Sequence, residues 1–237
     1  MNKKKKFNLL NEYKKCWDYI RESKNFIYSI IGVFMLFVLI GIFVPAPQIF
    51  YEKIMEFLRE LLKETENLSL PELIRFIAFN NIRSTFLGIF LGIFFGIYPL
   101  ISAISNGYLL GFVSLISINS DGGLSLWRIL PHGIFELPAV FISLGIGLFI
   151  GYQSILFLYN FIKYHKKSSP LWLLIILVIL FPLPFLIIAY ITDIQQKRFS
   201  KELNYSIINS LRIFFLVILP LLVIAGIIEG TFMILVK

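Results

Sequence analysis

Cysteine is nearly absent: Cys16 is the one thiol in 237 residues. A lone cysteine can neither close an internal disulfide nor build a thiolate metal cluster. A stapled secreted scaffold and a zinc ribbon are both excluded, and the chain carries no redox mark of its compartment. Histidine is almost as scarce, with only His132 and His165. No HExxH occurs, so the usual histidine-built zinc site has too few donors. The GxSxG elbow, the P-loop pattern and the dinucleotide-binding glycine pattern are missing too, which leaves no sequence mark of a serine hydrolase or of a nucleotide-driven machine. Charge is thin as well, 15% of residues against 58% hydrophobic, a balance that a soluble domain of this length does not tolerate. The expected class is an all-α, polytopic transmembrane helical bundle.

Acidic residues are outnumbered 14 to 22, leaving a formal charge of +8. The basic residues cluster beside apolar runs and form no continuous face. Anionic lipid headgroups therefore suit them better than nucleic acid, which is not an expected partner. Residues 1–25 carry Lys3, Lys4, Lys5, Lys6, Lys14, Lys15, Arg21 and Lys24 against only Glu12, Asp18 and Glu22. The positive-inside rule keeps this amphipathic segment in the cytoplasm. Within it, Tyr13, Trp17 and Ile20 recur at helical spacing opposite Lys14, Lys15 and Arg21. A helix lying on the lipid interface and a solvated basic tail are both open readings.

Residues 26–237 read as the transmembrane domain. The apolar run 26–44 is long enough to span and has no small-residue cleavage site behind it, so it is expected to be retained. Pro45 and Pro47 end it. Residues 48–67 form an amphipathic helix on the outer side, with Ile54, Phe57, Leu58, Leu61 and Leu62 on one stripe. Pro71 marks the start of the returning helix. A second span is expected at 84–104, where Gly88, Gly92 and Gly96 stand four residues apart and form a groove for close helix packing. Gly107 and Gly111 continue that spacing, and Gly147 and Gly151 repeat it later. The apolar runs 108–118 and 124–130 are each too short to cross, which predicts a partly irregular centre. Pro131 is expected in the first turn of the helix that follows. Runs at 171–191 and 207–236 complete about six spans, with both ends on the inner side and the basic loop around Lys197, Arg198 and Lys201 outside, against the positive-inside rule, which keeps five spans as the alternative.

Several polar residues interrupt this apolar sequence. His132 and Glu136 share a helix face one turn apart, and Glu229 stands between Gly226 and Gly230. A carboxylate at the bilayer centre costs about 2.5–3.5 kcal/mol on insertion scales, so each must be paired, protonated or wetted. Asn106, His132, Glu136 and Glu229 are therefore the candidate intramembrane polar cluster, with Arg128 as a further partner.

The segments Phe79-Asn80-Asn81-Ile82-Arg83, Asn106-Gly107 with Leu110-Gly111, Leu130-Pro131-His132-Gly133-Ile134-Phe135-Glu136-Leu137 and Ile224-Ala225-Gly226-Ile227-Ile228-Glu229 together resemble the stage II sporulation protein M family of membrane proteins. The resemblance runs from the first span to the end of the chain. It implies a multi-pass cell-membrane scaffold without catalytic residues or cofactor. In sporulating relatives this scaffold recruits two peptidoglycan-remodelling proteins of the same stage, D and P. Membrane or envelope proteins are the implied partners, and a homo-oligomer is an open alternative. Two other functions remain open on the residues alone. Acidic groups in a bundle interior also suit a proton- or solute-transport component. His132 and Glu136 have the i, i+4 spacing of two metal ligands, which keeps an intramembrane metalloenzyme as the third reading.

Overall fold

The computed structural model describes residues 8–44, 46–121, 126–165 and 200–235, with only the backbone at 120–121 and 126–132 and at a few residues near helix ends. Helix α1, Leu9–Phe43, begins where the Asn8 carboxamide oxygen accepts the Leu10 N–H at 3.1 Å, an N-cap that satisfies one orphan donor. It ends at Val44, whose backbone is extended ahead of the proline-rich link. Helix α2, Gln48–Glu66, follows Pro47 and is amphipathic, as its pattern predicts. Helix α3, Leu70–Phe90, starts at Ser69. There the Glu72 carboxylate accepts the Ser69 N–H at 2.9 Å and its hydroxyl at 2.6 Å, with Pro71 in the first turn.

A short 3-10 turn, Leu91–Ile93, then leads into Phe95 and Gly96, both in the left-handed region with φ of 58° and 72°. The chain reverses there, and α4, Ile97–Asp121, sets off in the opposite direction. Helix α5, Leu126–His165, is the longest element. The last unit is α6, Ser200–Ile213, continued through a π-helical turn at Phe214–Ile218 into α7, Leu219–Leu235. The π turn widens the spiral so that Phe214 and Ile218 both reach the core.

Lipid tails are as apolar as leucine, so close backbone approach must hold these helices together. Glycine supplies it where α1 meets α4 and α5 and where α3 meets α5 and α7. A Cβ on Gly107 would strike the Phe34 carbonyl, and one on Gly111 the Val38 carbonyl, so α4 lies against α1 and runs parallel to it. On α3, a Cβ at Gly88 would come within 2.8 Å of Leu144, and one at Gly92 would run into the Gly147 backbone. Gly147 and Gly151 of α5 return the contact, meeting the Gly88 carbonyl and the Gly96 amide, so α3 and α5 also run parallel. Gly226 faces Ala78 and Gly230 faces Ile74, which makes α7 antiparallel to α3. Gly145 against Ile27 joins α5 to α1.

These pairings fix the direction of every described crossing. Five helical stretches are long and apolar enough to cross a membrane: Leu9–Phe43, Leu70–Ile93, Ile97–Asn119, Gly133–Phe161 and Lys201–Met233. α1, α4 and α7 run one way, while α3 and α5 run back; α6 crosses the start of α1, with Tyr205 on Tyr19 and Arg212 on Glu12. On the side where α1 begins, Tyr19 is fully buried, packed on Phe149 with centroids 5.8 Å apart and edge-on to Tyr205. Arg212 of α6 pairs with Glu12 of α1 at the same end.

The all-α membrane bundle is as expected, but several boundaries differ. The stretch 84–104 is not one span: the reversal at Phe94–Gly96 divides it between α3 and α4. An irregular turn falls there, while 108–121 and 126–130 are helical in α4 and α5, and 122–125 lie outside the described residues. Pro131 is the sixth residue of α5 and not part of its first turn, and the helix continues through Pro138. Lys201 lies at the end of the bundle where α1 begins, not at the opposite end, and α7 finishes on the far side from α1's start. The expected span at 171–191, with Lys197 and Arg198, lies outside the described residues.

Candidate functional site

Glu136 stands on α5 and Glu229 on α7. Gly226 and Gly230 lodge α7 against Ala78 and Ile74, in the half of α3 farthest from the reversal. Glu229 projects from the same two turns. Glu136 stands two turns before Leu144, the residue that packs into Gly88, so it sits in the same half of the bundle. Both residues are partly buried, and the Oε2 atom of Glu229 is fully buried and accepts no hydrogen bond from any described residue. A carboxylate in lipid needs a proton, a cation or water beside it.

The remaining members of the expected cluster are placed differently. His132 is helical in α5, one turn before Glu136, and its side chain lies outside the described residues, as does that of Arg128. Asn106 lies on an exposed flank of α4, where its Nδ2 donates to the Ser102 hydroxyl at 3.1 Å. Glu136 and Glu229 thus share one half of the bundle, while Asn106 has a partner on its own helix.

A second feature lies elsewhere. Phe37 of α1, Phe50 and Ile54 of α2, and Ile104, Tyr108 and Leu109 of α4 line an open apolar groove of about 340 Å³. Phe50 packs on Tyr108 and Tyr51 on Phe112, which seats the start of α2 against α4. Beyond Ile54 the stripe of α2 is uncovered: Phe57 and Leu62 are more than half exposed.

Sequence reading missed the Glu12–Arg212 pair, because nothing in the spacing of either residue points to a partner two hundred positions away. It also passed over Gly41 and Gly145 as packing residues. The small-residue spacing of Gly226 and Gly230 was a readable signal of the α3–α7 seam.

A protein-family profile described as Stage II sporulation protein M matches residues 30–232, a stretch that contains both glutamates and every glycine seam. An uncharacterized protein of Methanocaldococcus jannaschii is similar, 36% identical over 99 residues. That match covers 40% of this chain and 52% of the other, so the chain spans about half the length of this relative. No solved structure matches significantly.

Proposed function

Because the chain belongs to the stage II sporulation protein M family, we propose that it is a multi-pass scaffold of the cell membrane that assembles or localises partner proteins and leaves chemistry to them. The observation that carries this reading is the uncovered stripe of α2. Phe57 and Leu62 are exposed on a helix tethered at both ends, between the end of α1 and the start of α3. A tethered helix that offers apolar side chains beside a glycine-locked bundle suits the docking of another protein. The described lysines and arginines of α1, with Lys163 and Lys201, gather on the side where α1 begins, so the positive-inside rule makes that side cytoplasmic and puts α2 outside. Assembly, and not sporulation as such, is the part of the family role that these residues support.

Crosslinking in native membranes with a photoreactive residue at Phe57 or Leu62, followed by mass spectrometry, tests the reading. A discrete set of envelope proteins is the expected product. Crosslinks to lipid alone at both positions would sink it.

The Glu136–Glu229 pair supports two roles. As an internal tie it orients α5 against α7, and Glu136→Ala then lowers the abundance of the protein or its recovery with partners. Unchanged abundance and partner recovery would contradict that role. The unpartnered Glu229 oxygen also favours a second reading, a proton- or cation-coupled transport component. Flux in proteoliposomes that is abolished in Glu136→Gln, a variant that keeps the shape of the side chain, would establish transport, and the absence of flux across a broad substrate panel would remove it.

A further inference from the structure

The amino-terminal half of α1 has two faces, and the bundle uses only one. Cys16, Tyr19, Ser23 and Ile27 are buried against α5 and α6. On the opposite side Leu10 is 81% exposed, Trp17 56% and Tyr28 66%, with Tyr13 beside them. At 3.6 residues per turn these four fall within an arc of about 100°, and Lys14, Arg21 and Lys24 fall on or beside the same arc. No acidic residue of this half-helix does. Glu12 is turned toward Lys15 and Arg212, while Asp18 and Glu22 lie on the flank that faces Tyr205. The partition leaves an aromatic stripe that carries Arg21 and Lys24, with Lys14 on its border toward Asp18 and no acidic residue of the half-helix within it. The Arg21 guanidinium sits over the Trp17 ring, 5.2 Å from its centroid.

The same arc continues along the helix. Met35 and Leu39, further up α1 on that face, are each half exposed within the apolar span. A face that meets lipid tails along its upper length runs without interruption into the stripe of Tyr28, Trp17, Tyr13 and Leu10. Leu10 to Tyr28 covers about 27 Å of helix, so where α1 leaves the membrane at a slant its aromatic rings lie at the level of the headgroups. Cations among them meet the phosphates there, with the methylene stems laid along apolar surface and the charges reaching outward.

We propose that this outward face of α1 is a binding surface for anionic phospholipid headgroups, with Trp17 as the interfacial anchor and Lys14, Arg21 and Lys24 as the phosphate contacts. Charge complementarity and continuity with the lipid-facing span select a membrane surface over a partner protein. The surface is separate from the α2 stripe and does not depend on the scaffold reading.

The test uses the full chain, with Trp127→Phe and Trp172→Phe so that Trp17 is the sole indole, reconstituted in phosphatidylcholine vesicles containing a minor fraction of phosphatidylglycerol. Bromine-labelled acyl chains on one lipid or the other report which of them lies next to Trp17. The expected result is stronger quenching when the bromines are carried by phosphatidylglycerol. Each cation contributes on the order of fivefold to that preference at low salt, and raising the salt weakens it. Arg21→Gln should lower the preference, and Lys14→Gln with Arg21→Gln and Lys24→Gln should abolish it while the protein still reconstitutes. Equal quenching from both lipids, or ready quenching of Trp17 by aqueous iodide, would overturn the proposal. Native mass spectrometry of the unmodified chain released from mixed-lipid nanodiscs gives a second measure. Retained phosphatidylglycerol supports the assignment, and retention in proportion to the bulk mixture refutes it.

Discussion

Glycine carries the residue-scale stability of this bundle, through contact and not through flexibility. At Gly92 an added Cβ would meet the Gly147 backbone, which cannot swing aside as a side-chain tip can. Gly92→Ala should therefore force α3 and α5 apart and cost about 1–3 kcal/mol. The fitting control is Gly32→Ala on an exposed face of α1, where nothing lies within 4 Å of the new atom. That change should be neutral, or stabilising by up to about 1 kcal/mol, since glycine is the poorer helix former. Thermal melts of the two variants in the same detergent separate these outcomes, and equal melting temperatures would count against the seam. The same reasoning shows why Glu136 and Glu229 could be singled out and grouped from the sequence while the helix pairing that places them in one half of the bundle could not be read. Each stands out chemically in an apolar helix, yet their approach depends on α7 lying antiparallel to α3, which no local spacing encodes.

Among the elements, the reversal between α3 and α4 has the largest effect on the architecture and was the least legible. Four-residue glycine spacing looks the same in a straight groove and in one whose last glycine turns the chain. Gly96 does both: its φ of 72° makes the turn, and the space beside it is filled by Leu148. Gly96→Ala combines a left-handed backbone, which costs an L-residue about 1–2 kcal/mol, with a Cβ only 2.7 Å from a leucine methyl. It should lower the melting temperature more than Gly88→Ala, whose Cβ meets only the movable Leu144 side chain. The reverse order would show that the turn tolerates a side chain. Amphipathic α2 and the start of α3 at Pro71 were legible because polar periodicity and a first-turn proline act locally. The unbroken course of α5 through Pro131 and Pro138 was not, since neighbouring helices can satisfy the backbone groups that a proline frees.

For the molecule as a whole, the pairings give a topology that can be checked from outside. Lys201 emerges where α1 begins and Leu235 at the other end. A reporter fused after Lys201 should read on the same side as the amino terminus, and one fused after Leu235 on the opposite side. Matching signals from the two fusions would require α7 to run the other way. The 35 residues of α1 make a rod about 52 Å long, well beyond the roughly 30 Å of hydrocarbon in a bilayer. One end is held by Arg212 and the other carries Gly41 against Tyr108 and, through Pro47, leads to α2. Because a helix resists compression along its axis, any tilt imposed where Glu12 is held must displace the opposite tip, and with it the attachment point of the external amphipathic arm.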